Sequence, residues 1–314
     1  MKDKKKIWIL AGLVILAIGL FLFEGLNAKN FDYNLSRRIP RVVAMAITAG
    51  SIAFSTIIFQ TVTNNRILTP STLGLDSLYG LSQTAIIFIF GSSSILITNS
   101  TMNFALSVII MLLNSLLLYK FVFKKNGNIF FLLLVGTVLG TFFRSISTFM
   151  QVIIDPNEYD ALQNRIMASF ENVNTDILVL TIIICLIIFA FVYDDIKKYD
   201  VLLLGRDQAI NLGINYDKLS KKILLIVSIL VSVSTALVGP ITFLGLLVVN
   251  LSYQFIDTYE HKYRIIACIL ISILGVVIGQ FFVERIFNYN STVSIIINFI
   301  GGVYFIYLLL KEKN

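Results

Sequence analysis

The chain has little of what metal proteins and soluble catalysts use. It holds one histidine and two cysteines in 314 residues. His261, between Glu260 and Lys262, reads as a solvated residue of a turn, and a single histidine does not build a histidine-based metal site. Cys185 and Cys268 fall inside apolar runs with no partner at ligand spacing, so they read as small buried hydrophobes. No Gly-x-x-x-x-Gly-Lys-Ser/Thr phosphate loop is present, so the chain does not supply ATP energy itself. Nor is there a nucleophile and base, or a carboxylate pair, at catalytic spacing, which argues against an enzyme. Charged residues make up 14%, and the apolar runs hold almost no acid or base. That poverty counts against an ion-coupled secondary transporter, which needs buried titratable groups, and against an intramembrane enzyme with clustered acids.

What fills the chain is apolar. Hydrophobic residues reach 57% and mean hydropathy is +0.87, more than a soluble chain of this length carries without aggregating. A bilayer core takes about 20 apolar residues per helix. Ten spans are predicted, at roughly 7–25, 42–62, 74–95, 101–122, 129–151, 176–193, 220–238, 241–256, 263–283 and 294–310. The fold class is therefore an all-α polytopic membrane bundle, a single domain over 1–314. The first span follows Lys4-Lys5-Lys6 but lacks a small-residue cleavage site, so it reads as a retained anchor.

Basic residues set the orientation. With both termini in the cytoplasm, most of the 25 Lys and Arg fall inside, Lys125 and Lys313 among them. Lys29, Arg37, Arg38, Arg41, Arg144, Arg165 and Arg285 are left on or near the outer side, as the positive-inside bias predicts. The net charge of +7 is thus a topology signal, and the expected surroundings are membrane lipid rather than nucleic acid. Arg144, late in the fifth span, reads as snorkelling outward. Two connections are long: 152–175 outside and 194–222 inside. Within the inner one, residues 206–213 read as a short helix between Gly205 and Gly213, and Ala209 and Leu212 fall on one face as a small knob.

Several motifs carry a resemblance. Arg38-Ile39-Pro40-Arg41 precedes a helix ending near Gln60, followed by Asn65, Pro70 and Leu73-Gly74. Leu204-Gly205, Ala209 and Leu212-Gly213 follow in the inner connection. Then come Gly239-Pro240-Ile241-Thr242-Phe243-Leu244-Gly245-Leu246 and Arg285 with Gly301-Gly302-Val303-Tyr304-Phe305. In this order and spacing, over about residues 35–311, the chain resembles the iron-siderophore permeases, transmembrane subunits of type II ABC importers with the cobalamin-importer fold. Departures are Arg66 where the family has proline, Val249-Asn250 where it has Pro-His, and Phe281 where it has an aspartate near Arg285. The departures at Val249-Asn250 and near Arg285, with the segment Asp155-Pro156-Asn157-Glu158-Tyr159, look like the second permease of a two-permease system.

The resemblance implies roles for particular residues. Arg38, Arg41 and Arg285 would receive glutamates of an extracytoplasmic siderophore-binding protein. Gly205, Arg206, Asp207, Ala209, Leu212 and Gly213 would form the coupling helix against one of two ABC ATPase subunits, where ATP and Mg would bind; this chain would carry no cofactor or metal. A second permease would complete a heterodimer in the bacterial cytoplasmic membrane. Ser55, Gln60 and Asn103 would line a neutral path, and Gly239, Pro240 and Gly245 would let helices turn and pack. The implied cargo is a ferric siderophore, catecholate or mixed catecholate in type, with haem or cobalamin as alternatives within the fold.

Overall fold

A computed structural model describes residues 2–25, 31–124, 129–171 and 173–312. Lys29, Lys125 and Lys313 of the charge argument, and residue 172 of the outer connection, lie outside the described residues. In chain order the helices are α1 Lys2–Phe23, α2 Phe31–Thr63, α3 Leu75–Phe90, α4 Ile95–Thr98, α5 Ser100–Lys124, α6 Ile129–Ile153 and α7 Pro156–Ile166. They continue as α8 Thr175–Val192, α9 Ile196–Leu202, α10 Arg206–Asn211, α11 Tyr216–Val238, α12 Leu244–Phe255, α13 His261–Arg285 and α14 Val293–Glu312. No strand occurs among the described residues.

Among them seven helices are long and apolar enough to cross a membrane, and α3, α12 and the apolar part of α14 are shorter. Together these occupy the ten predicted spans. The 16 residues of α3 rise ~24 Å and the 12 of α12 ~18 Å, less than a ~30 Å hydrocarbon core. Each is preceded by chain that is not α-helical, which at membrane depth survives only where protein covers it. Before α3, Pro70 and Leu73 of a 3-10 turn are buried; before α12, Val238 and Ile241 are.

The elements form two compact units. One comprises residues 1–57, 169–200 and 241–314; the other comprises 58–168 and 201–240. In the first, α13 packs on α1 and α12. The Ser272 hydroxyl donates to the Ala49 carbonyl at 2.9 Å, tying α13 to α2. A Cβ at Gly245 would run into the Thr56 side chain, so the absence of a side chain sets the α12–α2 approach. Cys185 and Cys268 are both buried and free.

In the second unit α3 lies along α6, and α5 along α11. Gly136-x-x-x-Gly140 on α6 receives the turn before α3. A Cβ on Gly136 would stand 2.8 Å from the Thr72 oxygen, and one on Gly74, at φ +77°, 2.9 Å from the Gly140 Cα. Tyr119 of α5 donates to the Leu224 carbonyl at 2.8 Å and bonds Ser228, joining α5 to α11. Buried amides add a network: Gln83 and Asn103 exchange bonds at 3.2 and 3.1 Å, and Gln83 also reaches Ser107 at 2.9 Å.

Two local expectations change. α2 starts at Phe31 rather than near 42, so Pro40 lies inside a helix of 33 residues, ~50 Å long. Its first turns extend past the ~30 Å core, where polar Asp32, Asn34 and Ser36 are tolerated. His261 is not solvated: it is 1% exposed, and both its backbone nitrogen and its ring Nδ1 lie 2.7 Å from Asp200 Oδ1. The partner is 61 positions away in sequence, beyond the reach of a local reading.

Candidate functional site

The three arginines that the resemblance assigns to binding-protein docking are each held inside the first unit. Arg38 Nη1 donates to the carbonyls of Phe21, Leu22 and Glu24 at 3.2, 2.8 and 2.8 Å, the end of α1. Arg285 Nη2 donates to the Glu24 carbonyl at 3.1 Å, and its Nε lies 3.7 Å from the Glu24 carboxylate. A helix leaves its last carbonyls unsatisfied and carries partial negative charge there, so two guanidiniums at one C-terminus close α1. Arg41 reaches the Glu171 carbonyl at 3.1 Å and Glu284 at 3.3 Å, with side-chain exposures of 17% and 9% in that ion pair. Burial, then the Glu284 charge, raises the Tyr289 hydroxyl pKa above its ordinary value, while Arg41 opposes the rise. Of the three, Arg285 keeps most of its surface free, at 40%.

The connection 194–222 forms the expected short helix, α10, between Gly205 at φ +92° and Gly213 at φ +84°. Gly213 N donates to the Ile210 carbonyl at 2.9 Å and Ile214 N to the Ala209 carbonyl at 3.0 Å, a Schellman stop that needs the left-handed glycine. Arg206 pairs with Asp217 at 3.3 Å and lies over the Tyr216 ring, while Asp207 in the first turn is exposed. The face differs from the sequence reading. Ala209 is 0% exposed and seats the helix, whereas Leu212 at 63% faces out with Leu204 and Ile210. Three residues of spacing on so short a helix do not fix which side the protein covers.

The polar residues assigned to a neutral path are buried by protein. Gln60 donates to the Arg66 carbonyl at 2.7 Å and its own carbonyl accepts from Asn65, closing the turn after α2. Ser55 is fully buried, and Asn103 belongs to the amide network and donates to the Leu96 carbonyl at 3.0 Å. Gly239, at φ +98°, ends α11; a Cβ there would stand 2.8 Å from the Ala168 Cα. Pro240 follows in the non-helical segment before α12.

An open polar surface lies instead on α6. Thr137, Thr141, Arg144, Ser145 and Thr148 follow at intervals of four, three, one and three residues, share one face and are exposed. Thr137, Thr141 and Ser145 bond back to their own helix at 2.9, 3.0 and 3.0 Å, which satisfies the hydroxyl hydrogens and leaves the oxygens as acceptors. A cavity of ≈290 Å³ adjoins this face, where Gly136 and Gly140 meet the turn before α3; Ser71, Thr72, Ser77, Thr137, Thr141 and Arg144 line it. Arg144 is nine residues from the end of α6, ~13 Å along the axis, too deep for simple snorkelling. An arginine facing lipid at mid-helix costs about 2.5–3.5 kcal/mol by insertion scales. The stripe therefore requires water or another protein beside it. The spacing was visible in the sequence; what was missing was which side of α6 the α3 contact covers.

The connection 152–175 is structured too. Asp155 caps α7 by accepting from Asn157 N at 2.9 Å, Glu158 accepts from Ser92 N at 2.6 Å, and Arg165 donates to the Ile97 carbonyl at 2.6 Å.

Known proteins share this chain's sequence and fold. Residues 7–311 match the FecCD transport family. The petrobactin import system permease protein YclO of Bacillus subtilis (strain 168) is 58% identical over 315 residues, spanning 100% of this chain and 99% of the relative. A second petrobactin import system permease protein of the same strain, YclN, is 27% identical over 308 residues, 94% of this chain and 90% of that one. A solved structure described as a metal-chelate type ABC transporter in an inward-facing conformation has the same fold. It matches with a TM-score of 0.85 at 20% identity, covering 98% of this chain and 99% of that chain.

Proposed function

The chain belongs to the FecCD transport family, and we propose that it is one of two different permease subunits of an ATP-driven importer for a ferric siderophore of the petrobactin kind. Membership makes it a multi-pass, non-enzymatic transport subunit of a multi-subunit ABC import system. The cargo rests on the 58% identity to YclO over the whole chain. The second permease rests on the existence in one strain of two petrobactin permeases, of which this chain is far more similar to one.

The observation that carries the mechanism is the exposed polar face of α6. A permease that delegates capture to a binding protein needs a wall wet enough to pass a chelate and free of acids that would compete for ferric iron, since carboxylate oxygens are good hard-metal donors. The α6 face has hydroxyls and one cation, and no acid lines its cavity. Paired with a second permease across this face, it becomes a channel wall rather than a lipid-facing arginine.

The remaining parts follow the family. Both termini are cytoplasmic, so α10 faces one of two separate ATPase subunits that bind ATP and Mg, and the exposed Ile210, with Leu204 and Leu212 beside the helix, forms the docking knob that Ala209 seats from beneath. The rim at Arg38, Arg41 and Arg285 receives the binding protein, with Arg285 the most accessible. Glutamates of that protein exchange with Glu24 for the Arg285 guanidinium. ATP-driven closure below and docking above alternate the access of the α6 face.

The test is a deletion of this subunit in its host. Uptake of iron-labelled petrobactin is expected to be lost while uptake of labelled cobalamin is unchanged. Loss of cobalamin uptake with petrobactin uptake intact would overturn the cargo and keep the importer.

A further inference from the structure

We infer that Arg144 is the cargo-contacting cation of the pathway. Its guanidinium, with the hydroxyls of Ser71 and Ser77, binds anionic oxygens of the ferric chelate in transit and forms half of a site that the second permease completes. The inference rests on the siderophore reading above and adds to it the group that recognises charge.

Contrast with four other arginines sets Arg144 apart. Arg38, Arg41, Arg165 and Arg285 each spend their donors on a carbonyl or carboxylate of this chain. Arg144 has no hydrogen-bond or ion-pair partner among the described residues, although it stands on a membrane helix where an unsatisfied cation is costly. A guanidinium presents five donors in a planar fork suited to paired oxygens. No acid lines the adjoining cavity, and Asp76, one residue before its lining residue Ser77, is not part of the wall. With the lining threonine hydrogens given to backbone carbonyls, the donors left to this wall are Ser71, Ser77 and the guanidinium, which suit an oxyanion rather than the metal ion itself.

Size gives the second half of the argument. The cavity of ≈290 Å³ lies at the lower edge of the ~300–1,000 Å³ found for drug-sized ligands. It admits one arm of a chelate, a catecholate or carboxylate, and leaves the rest of the molecule to the opposing wall. A half-site also suits a transport path, where binding must be weak enough to release.

The chain's own thiols make a charge-specific test clean, because Cys185 and Cys268 are both buried. The complex of both permeases, the ATPase and the binding protein is reconstituted with Arg144→Cys, treated with 2-aminoethyl or 2-sulfonatoethyl methanethiosulfonate, and assayed for ATP-driven uptake of iron-labelled petrobactin. Wild-type complex treated alike corrects for thiols on the other chains. Uptake is expected to fall at least tenfold in the untreated variant, to recover severalfold with the cationic adduct and to stay low with the anionic one. ATPase stimulation by loaded binding protein, kept within about twofold, reports that assembly is intact. Arg144→Lys is expected to retain more uptake than Arg144→Gln. Wild-type uptake by untreated Arg144→Cys, equal effects of the two adducts, or no reaction with either reagent would each overturn the assignment while leaving the importer in place. A wild-type complex that imports another chelate but not ferric petrobactin would overturn the cargo reading, and this inference with it.

Discussion

Asp200 shows how one side chain holds the start of a long helix. Its Oδ1 lies 2.7 Å from both the backbone nitrogen and the ring Nδ1 of His261, the first residue of α13. Removing an acceptor from a buried donor costs about 1–3 kcal/mol. Asp200→Ala should therefore lower the melting temperature of the detergent-purified protein, with Asp200→Asn intermediate. An unchanged melting temperature for Asp200→Ala would show that the pair contributes nothing. Gly136 works by having no side chain. Gly136→Ala drives a Cβ into the Thr72 carbonyl and the Leu73 Cα, both backbone, and overpacking of this kind costs about 1–3 kcal/mol. Its effect should exceed that of Gly80→Ala, where a Cβ meets nothing within 4 Å, in the same melting assay.

Elements were legible to different depths. Apolar runs of about 20 residues force a helical span because lipid offers the backbone no partners, so the seven long spans were readable from the sequence, while the three shorter apolar helices were read there as full spans. The ends of α10 were readable for a similar reason, since glycines at Gly205 and Gly213 are what its positive φ values require. Its faces were not, because Ala209 and Leu212 are both apolar and only the surrounding packing buries one of them. For the same reason the coupling proposal is best probed at the exposed positions. Leu212→Asp and Ile210→Asp should leave folding unchanged and cut ATP-driven transport severalfold, or release the ATPase on co-purification. Full transport by both variants would move the coupling contact elsewhere. At the other end, Arg38→Ala frees three α1 carbonyls and should raise hydrogen exchange at the α1 terminus, whereas Arg285→Glu should chiefly weaken binding-protein affinity. The motif pointed to these arginines as a group; it did not carry the intramolecular partners that divide their work.

For the whole molecule, one long-range contact decides how the charge inventory is read. Arg144 is a costly unpaired cation if its side of α6 meets lipid, and a channel residue if that side meets water or a second permease; no local pattern separates the two. Packing of Gly136 and Gly140 against the turn before α3 leaves the stripe from Thr137 to Thr148 uncovered and bordered by a cavity. On this reading the chain is the wall of a ferric-siderophore path driven by other subunits. The most direct test is ATP-dependent accumulation of iron-labelled petrobactin in liposomes holding the second permease, the ATPase and the binding protein, with and without this chain. Accumulation only when this chain and hydrolysable ATP are both present is the predicted result. Accumulation without this chain, or with it but driven by an ion gradient and no ATP, would contradict the account.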